Sequence, residues 1–577
     1  MSRDVVDATS EDVGQDANAG QAKARDSDPR WLVPALALLA IGATVKLGIR
    51  QVSDPDVWWH LKTGAYVLSG GQFNGPDPWV PFSSRPFVLT QWLPEVVAQQ
   101  GYSLFGLPAI AWLRCVAMLA MITALVWAAR QAADTVPAIM AALAGLIGTG
   151  GSLSERPQLI SFVLLAITVG AWWKTAHDLR PRWWLAPLTL LWACSHGLWG
   201  VGVLIGLAVI AGLALDRRLD RRTALRLLAV PALSVVAAAL TPVGPRLLLT
   251  PFEVSSNGAQ FVQEWQPTDP RNFFAAVTLG MIALALMPWI RGRSALPWWQ
   301  LALAGTAVVS TLAMFRTVPL GSIIAAPLLA SALQQQRGHA TTPLSRRGTS
   351  AWIGLVAAGA ILAAPIAGAV AQQPSGWPEG LRPQLAAIPA KTVVLNDFAA
   401  GGWLLWAEPQ LTPVIDLRSE IYSTEYISDY SRAQEVRAGW QGFLDRTKPG
   451  YALLKTNAPL AAALQEQLHW TTVGKDADYV LLKAPRDKRP GHSQFWSICT
   501  REYQETAILP LRISLSQSGV RFQIPGVRTT HQCLGGAAPW QLPLSSRAAW
   551  MVGLGGVLVG RFRSSCGFPS WSTASHA

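Results

Sequence analysis

The feature that most constrains this chain is a series of apolar stretches, most of them close to the length needed to cross a hydrocarbon core of ~30 Å. They begin at 31–49 and recur near 107–129, 136–148, 159–173, 183–194, 198–215, 227–240, 273–290, 297–315, 318–333 and 351–370. Several are short or interrupted by Gly and Pro, and the pair flanking Ser195 reads either as two spans or as one broken element. The series predicts an all-α polytopic membrane domain of about 11 transmembrane helices over 31–371. Of the 577 residues, 14% are charged and 51% hydrophobic. A soluble domain carries about a quarter charged residues, so a soluble enzyme is excluded.

The formal net charge is +13, which on a soluble face would suit nucleic acid or anionic lipid. Here the basic residues lie in short segments between apolar runs, so the bilayer is the expected partner and nucleic acid is not. Threading the chain alternately across a membrane sorts them. One set of brief loops holds Arg130; Lys174, Arg180 and Arg182; Arg217, Arg218, Arg221, Arg222 and Arg226; Arg291 and Arg293; and Arg337, Arg346 and Arg347. The opposite set holds Arg50, Lys62, Arg85, Arg156, Arg246, Arg271 and Arg316, spread over a much greater length. The dense set is expected to be cytoplasmic. The N-terminus is then cytoplasmic, with polar residues 1–30 as a disordered tail. The long first loop 50–106, the loop 241–272 and everything after 371 face outward. The cysteines show no CxxC pair and no metal-ligand spacing.

The outward face collects residues that are expensive near a membrane. The first loop carries Asp54, Asp56, His60, Asp77 and Glu95 among Trp58, Trp59, Trp79 and Trp92. Two carboxylates at i and i+2, with an imidazole four residues on, suit a divalent cation such as Mg or Mn, or a general base acting on an acceptor hydroxyl. The tryptophans suit an interfacial helix or a platform for a sugar ring or prenyl chain. The plainer reading is that the aspartates cap a juxtamembrane helix and the tryptophans form an interfacial belt. Later segments add Glu155 and Arg156, His196, Glu264 and Arg316. Arg156, Arg316 and His196 suit a phosphate or pyrophosphate. The alternative pairs Arg156 with Glu155 or Glu264 in structural ion pairs and leaves His196 as a core histidine.

These segments resemble a family. The first loop, DPDVWWHLKTG followed by GPDPWVPFSSRPFVLTQWLPEV, is similar to that of bacterial multi-spanning proteins related to the C-type glycosyltransferases, membrane enzymes that use lipid-phosphate-linked sugars. The likeness continues through SERPQLISFVLL, LLWACSHGLWG, LTPVGPRLLLTPFE, VQEWQPTD and FRTVPLGSIIAAPLLA, then VVLNDFAAGGWLLW, VIDLRSEIY and YALLKTNAPLAAAL, covering about 31–485. It implies a bacterial plasma-membrane protein, a catalytic acidic motif at Asp54 and Asp56, and a lipid-phosphate-binding residue on a later loop, for which Arg156 and Arg316 are the candidates. Relatives commonly carry Gly after the Asp of VIDLRSEIY, where this chain has Leu417.

Residues 374–485 change character. Strands near Thr392–Asn396, Val414–Asp416, Tyr451–Lys455 and Tyr479–Lys483 alternate with helical stretches from Gly401 through Trp406, near Tyr422–Arg437 and at Pro459–Leu468. This predicts a small extracytoplasmic α/β domain. Neither GxGxxG nor a P-loop is present, so it reads as a lid or an acceptor-reading module. Residues 489–577 show no sustained periodicity and are expected to be an irregular, disordered tail. The function expected is transfer of a sugar from a polyprenyl-phosphate donor to an extracytoplasmic glycan, lipid or protein acceptor. Asp54, Asp56 and His60 would be catalytic, and Glu95, Arg156, His196, Glu264, Arg316, Trp58 and Trp59 substrate-binding. The competing class is a transporter or scaffold in envelope assembly. A transporter needs polar groups along a path through the midplane, or inverted repeats, whereas the ionisable residues gather at one face.

Overall fold

Each apolar stretch folds as a helix because no unpaired backbone group is tolerated in hydrocarbon. A computed structural model describes residues 29–251, 253, 263–293, 295–337, 345–374 and 376–485, with the backbone of a separate hairpin at 513–516 and 519–522. The expected tail 1–28 and nearly all of 489–577 lie outside the described residues. The first stretch is α1 (Leu32–Gly48), followed by α2 (Asp56–Leu68) and α3 (Trp92–Phe105) in the first loop, and then α4 (Leu107–Arg130). Helices α5 (Thr135–Gly148), α6 (Gln158–Asp178), α7 (Leu185–Ala193), α8 (Trp199–Leu215) and α9 (Arg221–Ala239) follow. The bundle is completed by α10 (Phe273–Ile290), α11 (Trp298–Ala313), α12 (Val318–Arg337) and α13 (Arg346–Val370).

Six of these, α4, α6, α9, α10, α12 and α13, are long and apolar enough to cross a membrane, and α1, α5 and α8 are shorter apolar helices. The run 183–215 is divided into α7 and α8 at Ser195-His196-Gly197. Helix starts follow local chemistry. Asn272 accepts the Phe274 and Ala275 N–H groups, and Ser345 accepts that of Gly348, satisfying donors that a helix leaves unpaired. Helix α12 is the most enclosed and α13 the least. Exposed side chains such as Leu204, Val236 and Ile361 present an apolar outer surface, as a lipid-facing bundle requires.

The first loop is a structured module. Gly106, at φ +65°, turns α3 into α4. Gly64 lets α2 lie directly on α3, since a Cβ there would meet the Glu95 carbonyl oxygen at 2.2 Å. A short antiparallel pair, β1 (Asn74–Gly75) and β2 (Phe87–Val88), closes the segment between them.

The C-terminal domain contains a five-stranded sheet in the order β4-β3-β5-β7-β6. Its elements are β3 (Val393–Asn396), α14 (Ala400–Ala407), β4 (Thr412–Pro413), α15 (Thr424–Gln434), α16 (Gln441–Thr447), β5 (Tyr451–Lys455), α17 (Pro459–Leu468), β6 (Thr471–Lys475) and β7 (Tyr479–Lys483). Strand β3 pairs in parallel with β4 and β5, while β7 runs antiparallel to β5 and β6. Strand β6 and helix α16 are additions to the elements expected from the sequence. The expected strand Val414–Asp416 falls earlier, at Thr412–Pro413: Val414 N–H still reaches the Val394 carbonyl of β3 at 3.0 Å, but Asp416 N–H is taken by the Tyr422 hydroxyl at 3.1 Å.

This domain shares its core with the first loop. Val80, Phe87 and Leu89 pack among Leu395, Val414, Ile421 and Tyr422, and α2 contributes Val57, Trp58 and Leu61 to a cluster with Val394, Trp403 and Leu404. A buried charge cluster locks the junction. Arg418, fully enclosed, forks onto Asp416 at 2.6 and 2.9 Å and reaches Asp77 of the first loop at 2.6 Å. Its guanidinium lies 4.7 Å from the ring centres of both Trp79 and Phe87. Removing one partner of such a group leaves buried charge uncompensated, at a cost of about 3–5 kcal/mol. Arg418→Leu is therefore expected to lower the unfolding temperature in detergent and to expose the junction to protease. Arg418→Lys should fall between, since it keeps the charge and loses the fork; wild-type behaviour from Arg418→Leu would contradict this clamp.

Candidate active site at the domain-bearing end of the bundle

The sequence motif Asp54-Pro55-Asp56 opens α2. The Asp54 carboxylate accepts the Asp56 N–H at 3.0 Å, and Asp56 Oδ1 accepts the Trp59 indole N–H at 3.0 Å. Both aspartates thus brace the start of the helix, as the plainer reading expects. Their remaining oxygens do something else. Asp54 Oδ2 and Asp56 Oδ2 both converge on Nε of Arg156, at 2.8 and 3.0 Å. Arg156 also donates from Nη1 to the two oxygens of Glu264, at 3.3 and 3.2 Å. Glu264 in turn lies 3.7 Å from Nη1 of Arg316, whose guanidinium stands 5.5 Å from the Trp265 ring centre. Residues from the first loop, the start of α6, the turn before α10 and the turn before α12 therefore meet in one chain of charges.

Neighbouring contacts fix this chain in place. Arg114 of α4 donates to the Gly48 carbonyl at 2.8 Å and the Arg50 carbonyl at 2.7 Å, and pairs with Glu155. Glu155 is thereby committed to Arg114, so of the two ion pairs the alternative reading offered Arg156 it is the one with Glu264 that forms. Arg50 donates to the Leu153 carbonyl at 2.7 Å. The end of α1, the start of α4 and the turn before α6 are held together by these bonds, so Asp54 and Arg156 approach from anchored segments.

The two aspartates titrate differently. Burial raises Asp54, but the Arg156 charge, the Asp56 N–H and the Ser154 hydroxyl outweigh it and leave the pKa below the ordinary carboxylate value. Asp56 is pushed up to about 6 by burial, with Arg156 opposing and the Asp54 charge reinforcing the rise. One carboxylate stays ionised while its neighbour takes up a proton just below neutrality, the separation that acid–base chemistry uses.

His60 and Glu95 form a second pair, Nδ1 to Oε1 at 2.7 Å, brought together by the close approach at Gly64. His196 is held by Nδ1, which accepts the Leu198 N–H at 3.4 Å and lies 3.0 Å from the Ser161 hydroxyl. The proton of the neutral ring is then on Nε2. Trp59 belongs to the acidic chain, whereas Trp58 does not. It packs edge-on against Trp377 at 5.8 Å, beside a different cavity. Successive helical residues cannot face the same side, and that signal was available in the sequence. One contributor carried no such signal. Glu420 of the C-terminal domain acts electrostatically on Arg316 and Glu95, and it is pushed up to about 7, chiefly by burial, with the Asp56 charge adding to the rise. With Arg85, Thr90, Arg246 and Thr250 it lines a cavity of about 330 Å3.

Among the described residues no group of three or more His, Cys, Asp or Glu is arranged to hold a metal ion. The place between Asp54 and Asp56 is filled by the Arg156 guanidinium, so a divalent cation bound there would have to displace it. In this arrangement the expected metal pair does not fit a cation.

Glu95 is pushed up to about 7, chiefly by burial, with His60 opposing. A carboxyl raised in the folded state stabilises it fully below the unfolded pKa, and that contribution is lost as pH rises through about 7. The loss is on the order of 3 kcal/mol at one pKa unit per ~1.4 kcal/mol. The unfolding temperature is expected to fall as pH rises from 4.5 to about 7, the two pKa values, and less steeply in Glu95→Gln. An equally steep fall in the variant would contradict the assignment.

No family model and no curated protein sequence matches this chain. Solved structures do. The oligosaccharyltransferase AglB of Archaeoglobus fulgidus, in complex with an inhibitory peptide and a dolichol-phosphate, superposes with a TM-score of 0.50 at 13% identity, over 80% of this chain and 75% of that one. The same archaeon's oligosaccharyltransferase tethered to an acceptor peptide gives 0.50 at 12% identity, over 74% and 69%. ArnT from Cupriavidus metallidurans, bound to undecaprenyl phosphate, gives 0.45 at 16% identity, over 81% and 100%. At these identities the likeness concerns architecture: this is a multi-pass membrane protein with the fold of the C-type glycosyltransferases, the resemblance its first-loop segments carry.

Proposed function

We propose that the protein is a membrane glycosyltransferase that moves a sugar from a polyprenyl-phosphate donor to an acceptor hydroxyl or amide outside the cytoplasm. The observation that carries this reading is the chain Asp54, Asp56, Arg156, Glu264 and Arg316, gathered from distant segments at the domain-bearing end of the bundle. Orientation follows from charge. The exposed arginines at 217, 218, 291 and 293, and at 221 and 222 where α9 begins, lie between helices at the other end, which the positive-inside rule assigns to the cytoplasm. The archaeal enzyme of the same fold was solved with a dolichol-phosphate, which supports a lipid phosphate as the donor carrier.

Asp56 is the general base. With its pKa near 6 it is ionised at neutral pH and basic enough to accept the acceptor's proton. The acceptor heteroatom attacks the anomeric carbon, the bond from that carbon to the phosphate oxygen breaks, and the configuration inverts. The proton ends on Asp56, and the lipid phosphate leaves with the bonding electron pair. Arg316 meets that phosphate: its nearest carboxylate is 3.7 Å away, so it is less committed than Arg156. Arg156 holds Asp54 and Asp56 together, with its Nε 2.8 and 3.0 Å from their carboxylates. Positioned guanidinium groups stabilise the charge that develops on a leaving phosphate.

The test is transfer of sugar to envelope glycans in a deletion strain carrying variant genes. Asp56→Asn, which preserves shape and removes the base, is expected to lower transfer by about 10²–10⁴-fold. Arg316→Gln should raise the KM for the donor more than it lowers kcat. Full rescue by the double variant Asp54→Asn/Asp56→Asn would rule out the catalytic assignment and leave the transporter or scaffold class standing.

A further inference from the structure

Three parts of the fold send polar side chains into the cavity of about 330 Å3. Arg85 and Thr90 flank β2 in the first loop, Arg246, Thr250 and Glu253 follow α9, and Glu420 belongs to the C-terminal domain. Its apolar share is small, supplied by Pro86 and Val88. The volume lies at the small end of the roughly 300–1,000 Å3 range of ligand pockets, and with this polarity it suits a hydrophilic group. Glu420 joins the cavity to the acidic chain, since the same carboxylate feels the Asp56 charge and acts on Arg316.

The guanidinium groups here are free where their neighbours are spent. Arg50, Arg114, Arg156 and Arg418 give their donors to carbonyls and carboxylates of the fold. The Arg85 side chain makes no hydrogen bond or ion pair among the described residues, while its main-chain N–H donates to the Ile421 carbonyl at 3.0 Å and fixes where the side chain starts. Arg246 has one carboxylate near it among the described residues, Glu253 at 3.9 Å, and the two side chains are 33% and 49% exposed. Exposed pairs of this kind are weak, so a ligand anion displaces Glu253 at little cost. The Thr250 hydroxyl donates to the Leu247 carbonyl at 2.9 Å, which leaves its oxygen to accept. Glu420 would oppose an anion when ionised. It is pushed up to about 7, chiefly by burial, so near neutrality much of it is the neutral acid, a hydrogen-bond donor.

These groups select a ligand class. Planar guanidinium groups recognise phosphate and carboxylate through paired N–H donors. A neutral sugar would leave that charge unanswered, a cation would be repelled by it, and a hydrocarbon chain would meet little more than Pro86 and Val88. We propose that this cavity binds a saccharide carrying a phosphate or carboxylate, with Arg85 and Arg246 on the anionic group and Thr90 and Glu420 on neighbouring hydroxyls. The acceptor of the transfer reaction is then an acidic glycan, held here by its charge while one of its hydroxyls reaches toward Asp56. Its role as acceptor rests on the transferase reading, whereas the binding does not. A phosphate borne by a lipid offers the same chemistry, but the polar walls give its chain no place.

The test is calorimetric titration of the full protein in detergent, at low ionic strength and about neutral pH, with protein-free detergent subtracted. The probes are glucose 6-phosphate, glucuronate, glucose, inorganic phosphate and octyl phosphate. Saturable binding of glucose 6-phosphate or glucuronate is expected, with the other three probes at least about tenfold weaker. Arg85→Gln and Arg246→Gln should each weaken binding by about tenfold and leave the unfolding temperature unchanged, because neither side chain makes a strong contact in the free protein. Arg271→Gln, at an exposed arginine ahead of α10, should bind as wild type. Absence of saturable binding, unchanged affinity in both cavity variants, or an equal loss in Arg271→Gln would overturn the site. Equal binding of glucose would overturn the need for charge. Equal binding of inorganic phosphate would overturn the saccharide, and equal binding of octyl phosphate would overturn the sugar-borne source. Binding is read without a donor or turnover, so its failure leaves the transfer assay standing, and failure of transfer leaves the binding result standing.

Discussion

The arrangement at the domain-bearing end depends on one guanidinium. Asp54, Asp56 and Glu264 come from segments more than 200 residues apart, and all three reach Arg156. Carboxylates gathered this closely repel one another and lose water, so the cluster exists only because a fixed positive charge sits among them. Arginine suits that place better than lysine. It stays charged when partly buried and offers several donors in a plane, so Nε serves the aspartates while Nη1 serves the glutamate. That charge favours the ionised form of both aspartates, while burial and the neighbouring Asp54 charge push Asp56 up and leave it the readier base.

The first loop is the part of the chain through which the membrane bundle and the C-terminal domain act on each other. It lays Asp54 and Asp56 against Arg156, and His60 against Glu95. Through Asp77 it engages Arg418, and through Val80, Phe87 and Leu89 it enters the core of the sheet domain. A detached lid would not be built this way. Glu420, two residues beyond the Arg418 clamp, is thereby carried to the edge of the acidic chain. The clamp therefore positions part of the site as well as joining two layers of the fold.

Much of this is legible in the sequence, for reasons that are local. Apolar runs mark the helices because hydrocarbon demands internally satisfied backbone. Strands β5 and β7 and helix α17 fall where alternation and Pro459 put them. Asp54, Asp56, Arg156 and Arg316 stand out because charges beside a membrane are costly. What is not legible is pairing across distance. Arg114 with Glu155, 41 residues apart, and Arg418 with Asp77, 341 apart, carry no local mark of their partners. Glu420 sits in VIDLRSEIY, a segment that resembles its family but whose position beside Asp56 only the fold supplies. The DxD spacing suits a cation, yet a guanidinium occupies that place, because spacing fixes ligand geometry without fixing what comes to meet it.

The central claim is that Arg156 and the aspartate pair stabilise one another across the fold. A double-mutant cycle measures that coupling directly: unfolding free energies of Asp54→Asn, Arg156→Gln and the double variant, in one detergent at pH 7.5 (roughly three units above an ordinary Asp pKa, so that Asp54 is ionised in both states). The account predicts a favourable interaction of about 1.5–3 kcal/mol, with the double variant less damaged than the sum of the singles. Additive losses, with a coupling below ~0.5 kcal/mol, would show that the guanidinium does not hold the acids together.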